Sequence, residues 1–471
     1  MPYRGLRDFL EKLEAEGQLV RVEKEVLPEP DIRAGAYAAL KIAGGPAVFF
    51  ENIHGYEQKK VVMNVHGSWE NYALMLDLPK NTPVKRISQE IEARMDRYPV
   101  EAKVVVEAPS KEVVISHDVN LFNELPLFRV NENDGGLYIS KGVVITRDPE
   151  DPGNQNLGIY RIQVKDKDRL GIQAGAHHDI AVHLKKAEAL NRPLPVAISV
   201  GNDPVISLVG TMPLEYEEDE YEMAGALRGE SIEIIRAETS DLMVPACAEV
   251  IIEGEIVPRV RSVEGPFGEY TGFYSSAMRQ AEIRVKAVTR RKDPIIFENL
   301  YLGKPWTELD IFMGPITSVT VGKQLKRMAP EVVSVNANYA HGLGVIVSTR
   351  SRLAGYGKIV AAKLLATPHG LLYPKLIIIV DDDIDPFNLD EVMWALVTRF
   401  RPERDLVLIP NAPGSTLDPA SLERGLVTRM ILDATKPVPP EPPLVGLSQV
   451  SPPKEGMEWI KTLERIRRQE K

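Results

Sequence analysis

Hydrophobic and polar residues near the start of the chain follow first a helical and then a strand-like spacing. Within 6–13, apolar residues recur at intervals of three and four with charged residues between them, which predicts an amphipathic helix. Strand-like apolar runs follow at 47–50 and 61–65. We therefore expect residues 1–115 to form a small N-terminal α+β domain.

The middle of the chain is dominated by short alternating segments such as 283–287, and Gly and Pro interrupt them often. Helix-like stretches occur at 179–190 and 217–227. The pattern predicts a β-rich central domain with inserted helices over residues 116–318.

The last third of the chain alternates helical periods with continuous apolar runs. The densest run, 376–380, lies between helix-like stretches at 359–365 and 389–400. Continuous apolar strands between helices indicate a buried, mainly parallel sheet. We expect a C-terminal α/β domain over residues 319–450, followed by a charged helical tail at 451–471.

Composition and charge exclude several classes of protein. With 44% apolar and 26% charged residues, the chain is neither wholly disordered nor a collagen-like fibre or coiled-coil rod. The net charge of −10 argues against a nucleic-acid or anionic-membrane partner. The single cysteine, Cys247, allows no intrachain disulfide. No run approaches the ~18 apolar residues of a membrane span, and the N-terminus lacks a secretion signal, so we expect a cytoplasmic protein.

One candidate cluster in the middle region has the chemistry of a metal site. His177 and His178 precede a predicted helix, and Glu220 lies on the apolar stripe of the next helix, where an unpaired charge is costly. Together with Asn156 these residues offer amide, imidazole and carboxylate donors, which suit manganese or magnesium. The alternative is that Glu220 is one of several solvated acids in its segment, and spacing alone leaves both open.

A second candidate is a pair of carboxylates, Glu264 and Glu269, on either side of a turn rich in Gly and Pro. Chain reversal can bring them into one pocket, where carboxylates held close together titrate apart and one stays protonated near neutral pH. An adjacent arginine could keep the other ionised and bind a substrate carboxylate bidentately. A purely structural turn is the alternative.

Arg161 stands in an otherwise apolar strand, a position that is often a solvated edge. It is five residues from Asn156, so an unbroken strand would aim the two side chains at opposite faces. A bulge, or an Asn156 just outside the strand, would remove this conflict.

Several segments, in their shared order, resemble the UbiD family of prenylated-flavin-dependent decarboxylases. They are AsnLeuGlyIleTyrArg at 156–161, GluTyrGluMetAlaGly at 220–225, GluGlyProPheGlyGlu at 264–269 and AspAspAspIleAspProPheAsn at 381–388. Further segments resemble the branch of large catalytic subunits of 4-hydroxybenzoate, vanillate and protocatechuate decarboxylases. They are AsnIleHisGlyTyr at 52–56, TyrLeuGlyLysProTrpThrGlu at 301–308 and IleLeuAspAlaThrLysPro at 431–437.

The resemblance implies a fold and a set of site residues. The fold is an N-terminal α+β domain, a central split β-barrel that binds flavin, and a C-terminal α/β domain. Arg161, Glu264 and Glu269 would form the catalytic network, and Asn156, His178 and Glu220 would hold a divalent ion, Mn²⁺ or Mg²⁺, at the flavin phosphate. The other implied contacts to prenylated FMN are Ile159, His177, Thr211, Met212 (its carbonyl near K⁺), Pro213 and Lys375.

Two positions depart from the pattern of this branch. Asn299 stands where His is frequent and Lys304 where Met is frequent, and both would flank the substrate. Lys304 could pair with a second anion of the substrate or be a solvated side chain beside the pocket.

The activity that the resemblance implies is reversible, non-oxidative decarboxylation of an aromatic acid of the hydroxybenzoate type. The alternatives are another unsaturated, heteroaromatic or second-anion-bearing acid, a plain flavin oxidoreductase, and a non-catalytic subunit of a decarboxylase assembly. The implied partners are the aromatic acid, a UbiX-like flavin prenyltransferase that supplies the cofactor, small accessory subunits, and further copies of the chain in a dimer or hexamer.

Overall fold

The computed structural model describes residues 3–175, 178–304, 306–421, 425–444, 450, 453 and 456–469. Up to residue 115 its elements are α1 (Leu6–Ala15), β1 (Leu19–Val22), α2 (Asp31–Ala39), β2 (Ala47–Phe50), β3 (Lys59–Met63), α3 (Trp69–Met75), α4 (Val84–Met95), β4 (Lys103–Val104), a 3₁₀ turn (Pro109–Lys111) and β5 (Val113–Ile115).

The central elements are α5 (Leu121–Glu124), β6 (Leu137–Ile139), β7 (Val143–Arg147), β8 (Gln155–Ile159), β9 (Ile162–Asp166), β10 (Arg169–Ile172), α6 (Asp179–Ala189), β11 (Leu194–Val200), α7 (Pro204–Val209), α8 (Glu220–Arg228), β12 (Glu233–Arg236), β13 (Met243–Pro245), β14 (Val250–Glu264), β15 (Met278–Arg290) and β16 (Ile295–Glu298). The last elements are α9 (Glu308–Met328), β17 (Val332–Tyr339), β18 (Gly344–Thr349), α10 (Tyr356–Leu365), β19 (Leu376–Asp381), α11 (Leu389–Arg399), α12 (Pro402–Asp405), β20 (Leu406–Pro413), β21 (Leu426–Asp433) and α13 (Gly456–Gln469).

The first predicted helix is confirmed as α1, whose apolar stripe is buried as its spacing requires. The N-terminal sheet has the order β1-β2-β3-β16, and β16 runs parallel to β3 although more than 200 residues separate them in sequence. The fourth strand of this sheet therefore comes from the segment that leads into α9.

The centre of the molecule is a half-barrel sheet with the order β6-β9-β10-β15-β14-β11-β7-β8, to which β5 is added on β15. Its long hairpin, β14 and β15, spans the sheet. The two helices predicted in this region are confirmed as α6 and α8, the latter beginning at Glu220. The break between β8 and β9 lies beside the end of β14, because Arg161 in that break contacts Glu264, the last residue of β14.

The C-terminal sheet has the order β17-β18-β19-β21-β20 and is mixed. Its inner strands β18, β19 and β21 are parallel, while the edge strands β17 and β20 are antiparallel to their neighbours. The prediction of a mainly parallel sheet was too simple, because the link between β17 and β18 is too short for the crossover that parallel strands need. Within the described ranges, no helix is long and apolar enough to cross a bilayer.

Candidate active site

Arg161, Glu264 and Glu269 come together at the mouth of the half-barrel. Arg161 Nε donates a hydrogen bond to Glu264 Oε1 (3.0 Å) and Nη2 donates to Glu264 Oε2 (2.7 Å). The third guanidinium nitrogen, Nη1, donates to Glu269 Oε1. All three residues are buried. The sequence-predicted catalytic residues thus form one network with the arginine between the two carboxylates.

The strand that carries Arg161 is interrupted. β8 ends at Ile159 and β9 begins at Ile162, so Tyr160 and Arg161 lie outside both strands. This break, rather than a bulge or a displaced Asn156, reconciles the five-residue separation of Asn156 and Arg161. The two side chains therefore belong to different clusters, Asn156 with Glu220 and Arg161 with the two other glutamates.

The turn between β14 and β15 requires glycine at Gly265. Its φ is +88°, and a Cβ there would lie 3.0 Å from the carbonyl oxygen of Ser276. The backbone approach on the other side is also close, because a Cβ on Gly135 would overlap the Gly265 carbonyl oxygen. Asp134 Oδ1 accepts a hydrogen bond from Gly268 N (2.8 Å), which fixes the segment immediately before Glu269.

The surroundings of the network shift the pKa values of its residues. Burial raises the pKa of Glu269, although the charge of Arg161 opposes this. Burial by itself would lower the pKa of Arg161, but the charges of Glu269 and Glu264 outweigh it and the pKa is raised. The raised pKa favours the protonated form of Glu269 beside a permanently charged guanidinium.

Tyr138 is a member of this network that sequence reasoning missed. Its hydroxyl donates a hydrogen bond to Glu264 Oε1 (3.0 Å), and the residue is fully buried. Glu264 is 126 residues away, and nothing in the local sequence of β6 distinguishes this tyrosine from a core residue. Only the pairing of strands reveals the contact.

The candidate metal residues Asn156 and Glu220 are also brought together. Asn156 Nδ2 donates to Glu220 Oε1 (2.9 Å) and to Asp179 Oδ2 (3.2 Å). The remaining oxygens, Asn156 Oδ1 and Glu220 Oε2, are buried and accept no hydrogen bond in the described part of the chain. Burial raises the pKa of Glu220 well above its usual range. Two unsatisfied oxygens, one of them a carboxylate, fit a cation that binds both.

His178 lies at the edge of the same cluster. It immediately precedes Asp179 at the start of α6, and its ring contacts that of Tyr160, with centroids 5.1 Å apart. No three His, Cys, Asp or Glu side chains among the described residues cluster as metal ligands, and the candidate set includes the amide of Asn156. The predicted contact His177 lies outside the described residues.

The predicted cofactor segment at 211–213 lies against the end of β8. Ile159 N donates to the carbonyl oxygen of Gly210 (2.9 Å), and Thr211 Oγ1 donates to the carbonyl oxygen of Leu208 (2.7 Å). The Met212 carbonyl oxygen accepts a hydrogen bond from Leu214 N (2.9 Å), and Pro213 follows half-buried. Ile159 and Thr211 are thus held beside each other by backbone hydrogen bonds.

Lys375 lies in the C-terminal domain, immediately before β19. Its ammonium group is ion-paired with Asp418, at 2.8 Å. Asp418 and Glu269 both line a cavity of about 100 Å³. Tyr270 and Ser415 form a hydrogen bond (3.3 Å) across the same junction. The loop that carries Glu269 therefore contacts the C-terminal domain directly.

An imidazole–phenol cluster borders this junction and was also missed from the sequence. The His341 ring lies 5.4 Å from Tyr270 and 4.4 Å from Tyr373, and His369 stacks on Tyr373 at 4.6 Å. Burial, and then the charge of Glu269, raise the pKa of Tyr373. The cluster is assembled from three separate segments, so no local motif marks it.

The two candidate substrate residues occupy different environments. Asn299 is fully buried, where its Oδ1 accepts from Ser140 N (2.7 Å) and Oγ (2.6 Å) and its Nδ2 donates to the Tyr138 carbonyl oxygen (3.1 Å). Lys304 is exposed, and its Cα lies 3.2 Å from the position that a Cβ on Gly272 would take. Lys304 therefore borders the turn that carries Glu269, whereas Asn299 contacts the backbone of Tyr138.

Fold and site together define a multidomain α/β enzyme with a buried arginine–carboxylate centre at the mouth of a half-barrel. Family models named for 3-octaprenyl-4-hydroxybenzoate carboxy-lyase match three consecutive segments: the N-terminal domain at 10–91, the Rift-related domain at 103–305 and the C-terminal domain at 310–434. The chain belongs to the UbiD family of carboxy-lyases, which confirms the family and the enzyme class predicted from the sequence.

The relatives are similar over their whole length. A phenolic acid decarboxylase of Sedimentibacter hydroxybenzoicus is 54% identical over 472 residues, with 98% of each chain covered. The vanillic acid decarboxylase structure ShVdcCD of the same organism, in closed form, has a TM-score of 0.94 at 54% identity and covers 98% of this chain and 99% of its own. An evolved dimeric form of the UbiD-class enzyme HmfF from Pelotomaculum thermopropionicum, in complex with prFMN, has a TM-score of 0.82 at 30% identity, covering 98% and 100%. These relatives support the predicted decarboxylation of an aromatic acid.

Proposed function

We propose that this protein catalyses reversible, non-oxidative decarboxylation of a hydroxybenzoate-type acid with prenylated FMN. The observation that carries the proposal is the arginine held between two buried carboxylates, one of which has a raised pKa. The relative at 54% identity is a phenolic acid decarboxylase, and a relative at 30% identity binds prFMN, which supports both the substrate class and the cofactor.

Arg161 is proposed to bind the substrate carboxylate. A guanidinium has five N–H donors, and three of them are used by Glu264 and Glu269 among the described residues. The remaining two, one on each terminal nitrogen, can hold a carboxylate bidentately. Glu264 keeps the guanidinium plane fixed because it binds Nε and Nη2 together.

Glu269 is proposed to be the general acid. When bound, prenylated FMN supplies the electron sink for the pair of electrons left on the ring carbon as carbon dioxide departs. Glu269, whose protonated form burial favours, then donates its proton to that carbon, so that the acid is replaced by the arene and carbon dioxide. In the carboxylation direction the ionised Glu269 takes the proton back.

We propose that Asn156, His178 and Glu220 hold a divalent ion, Mn²⁺ or Mg²⁺, which ties the flavin phosphate to the protein. The unsatisfied oxygens of Asn156 and Glu220 support this, because hard oxygen donors in a dry site suit these ions. Ile159, His177, Thr211 and Pro213 are proposed to contact the cofactor, Met212 to offer its carbonyl to K⁺, and Lys375 to reach the phosphate, which requires it to leave Asp418.

We also propose the division into domains at 1–115, 116–318 and 319–450 with a tail at 451–471, and a split barrel as the flavin domain. The three consecutive family models support it. A flavin prenyltransferase, a small accessory subunit, self-association and a cytoplasmic location are proposed as well. The ShVdcCD assembly and the dimeric HmfF support the subunit and the self-association.

The test is the Glu269→Gln variant of protein co-expressed with a flavin prenyltransferase. Carbon dioxide release and deuterium exchange are measured on hydroxybenzoates, heteroaromatic acids and dicarboxylates. We expect the variant to retain flavin and to lose about 10²–10⁴-fold in rate, which is the range of general acid catalysis. Glu282→Gln is the matched control, since this buried carboxyl on β15 does not contact Arg161. Wild-type turnover by Glu269→Gln would remove the acid assignment.

A further inference from the structure

We propose that Tyr138 is a positioning residue whose hydroxyl holds Glu264 as the ionised anchor of Arg161, which leaves Glu269 as the carboxyl that carries the proton. This inference rests on the proposed function. It explains why Glu269, and not Glu264, is the buried glutamate that donates the proton. Tyr138 acts through Glu264 and does not touch the reacting carbon.

The two glutamates differ in the number of hydrogen bonds that they accept. In the described part of the chain, Glu264 accepts three, two from Arg161 and one from Tyr138 (3.0 Å). Glu269 accepts one from Arg161 Nη1 and one from the backbone N–H of Tyr270. Hydrogen bonds to a carboxylate favour its charged form, so three donors on Glu264 favour its ionised state more than two donors favour that of Glu269.

The position of the Tyr138 hydroxyl is fixed from three sides. The residue is fully buried, and its ring packs on Phe267 with centroids 4.5 Å apart. Its carbonyl oxygen accepts a hydrogen bond from Asn299 Nδ2 (3.1 Å). Besides Glu264, the nearest acceptor of its hydroxyl proton is the Pro266 carbonyl oxygen, at 3.5 Å. Burial, and then the charge of Glu264, raise the pKa of Tyr138, so the hydroxyl remains a donor at working pH.

Other charges also face the two carboxyls and contribute to their titration. Glu264 faces Arg161, Glu269 and the ammonium group of Lys165, which approaches from β9. Asp134 lies behind Tyr138, and burial raises its pKa to about 6. On the other side, Glu269 faces Tyr270 and Tyr373. None of these groups is removed by Tyr138→Phe, so this variant changes only the hydrogen bonding of the hydroxyl.

The test is Tyr138→Phe in the flavin-loaded enzyme, with kcat and KM measured across pH. Loss of the hydroxyl should move the acidic limb of the kcat profile upward and lower kcat about tenfold, because the hydrogen bond that it donates to a charged group of the network is lost. KM should change less than about twofold, since the two substrate-facing N–H groups of Arg161 remain.

Tyr72→Phe is the matched control, because Tyr72 is a buried tyrosine of α3 whose hydroxyl has no hydrogen-bond partner in the described part of the chain. It should leave the pH profile unchanged. An acidic limb that stays in place in Tyr138→Phe, with kcat equal to that of Tyr72→Phe, would overturn the inference. If Tyr138→Phe does not fold, Asn299→Ala, which loosens the Tyr138 backbone, should move the limb in the same direction, and an unmoved limb there overturns it equally.

A readout without turnover separates this inference from the proposed function. Infrared difference spectra of the protein, with the Glu264 carboxylate band assigned by Glu264→Gln, should show that band shifted in Tyr138→Phe relative to the wild type, because the carboxylate has lost one hydrogen bond. An unshifted band refutes the role of Tyr138 even if decarboxylation is found. Absence of turnover in the wild type on every acid refutes the proposed function, while the infrared shift still decides on Tyr138.

Discussion

Lys141→Met should destabilise the protein far more than the loss of an ordinary ion pair. Lys141 is fully buried, with its Nζ 2.7 Å from Glu298 Oε1, 2.5 Å from Glu308 Oε1 and 2.9 Å from His66 Nδ1. These groups come from the end of β16, the first residue of α9 and the segment after β3. One ammonium group therefore compensates two buried carboxylates from separate parts of the chain.

The magnitude follows from the burial of the partners. Burial raises the pKa of Glu298. Burial would also raise the pKa of Glu308, but the charge of Lys141 and the hydrogen bond with His66 lower it to about 2. Glu308 is thus firmly ionised in the wild type. Removing one partner of a buried ion pair costs about 3–5 kcal/mol, and we expect Lys141→Met to fall in this range at pH 7.

The assay is urea unfolding followed by intrinsic fluorescence, at pH 7 and at pH 5. The difference from wild type should shrink at pH 5, because the two carboxyls, no longer facing a cation, take up protons when buried. Lys323→Met is the control: its ion pair with Asp96 (2.6 Å) is at the surface, and its loss should cost at most about 1 kcal/mol. A Lys141→Met protein as stable as this control, or a loss that is equal at both pH values, would refute the reasoning.

Three further outcomes are expected. Gly265→Ala should destabilise the protein by about 1–2 kcal/mol and lower turnover, because the φ of Gly265 is +88° and the added methyl group would contact the carbonyl oxygen of Ser276. The control in thermal unfolding is Gly55→Ala, because Gly55 has open space around it. Burial lowers the pKa of His66 from 6.5 to about 4 in the folded protein. Between these two pH values the unfolded chain binds one proton more than the folded protein, so the free energy of unfolding should fall as the pH drops from about 6.5 to about 4. The fall should be less steep in His66→Gln. Glu220→Gln should weaken Mn²⁺ binding at least about tenfold by calorimetric titration, and unchanged binding would contradict the metal assignment.

The sequence predicted those features that depend on local pattern. The apolar stripe of α1 and the helices α6 and α8 follow from spacing within a dozen residues, and tertiary packing did not override it. The site residues on β8 and directly after it, and those in the 264–269 turn, were found because they lie in compact segments that resemble a known family. Their mutual distances could not follow from sequence, because Arg161 and Glu264 are 103 positions apart.

Features that depend on long-range pairing were not predicted. β16 completes the N-terminal sheet, and no local signal marks it as belonging there rather than to the half-barrel. In the sequence, Tyr138 looks like an ordinary residue of a short strand, and Lys141 like an ordinary residue of the loop that follows it. Their partners come from β14, β16 and α9, so the contacts exist only once those elements are paired.

The segment from Tyr138 to Lys141 connects the chemistry of the site to the stability of the fold. Tyr138 donates to the carboxylate that anchors Arg161, Ser140 is bonded to Asn299, and Lys141 neutralises the carboxylates at the end of β16 and the start of α9. Packed interiors transmit small displacements, because their side chains have few alternative positions. A shift of α9 at Glu308 is therefore expected to reach Glu264 through four consecutive residues, which places the start of α9 in mechanical contact with the arginine–carboxylate network.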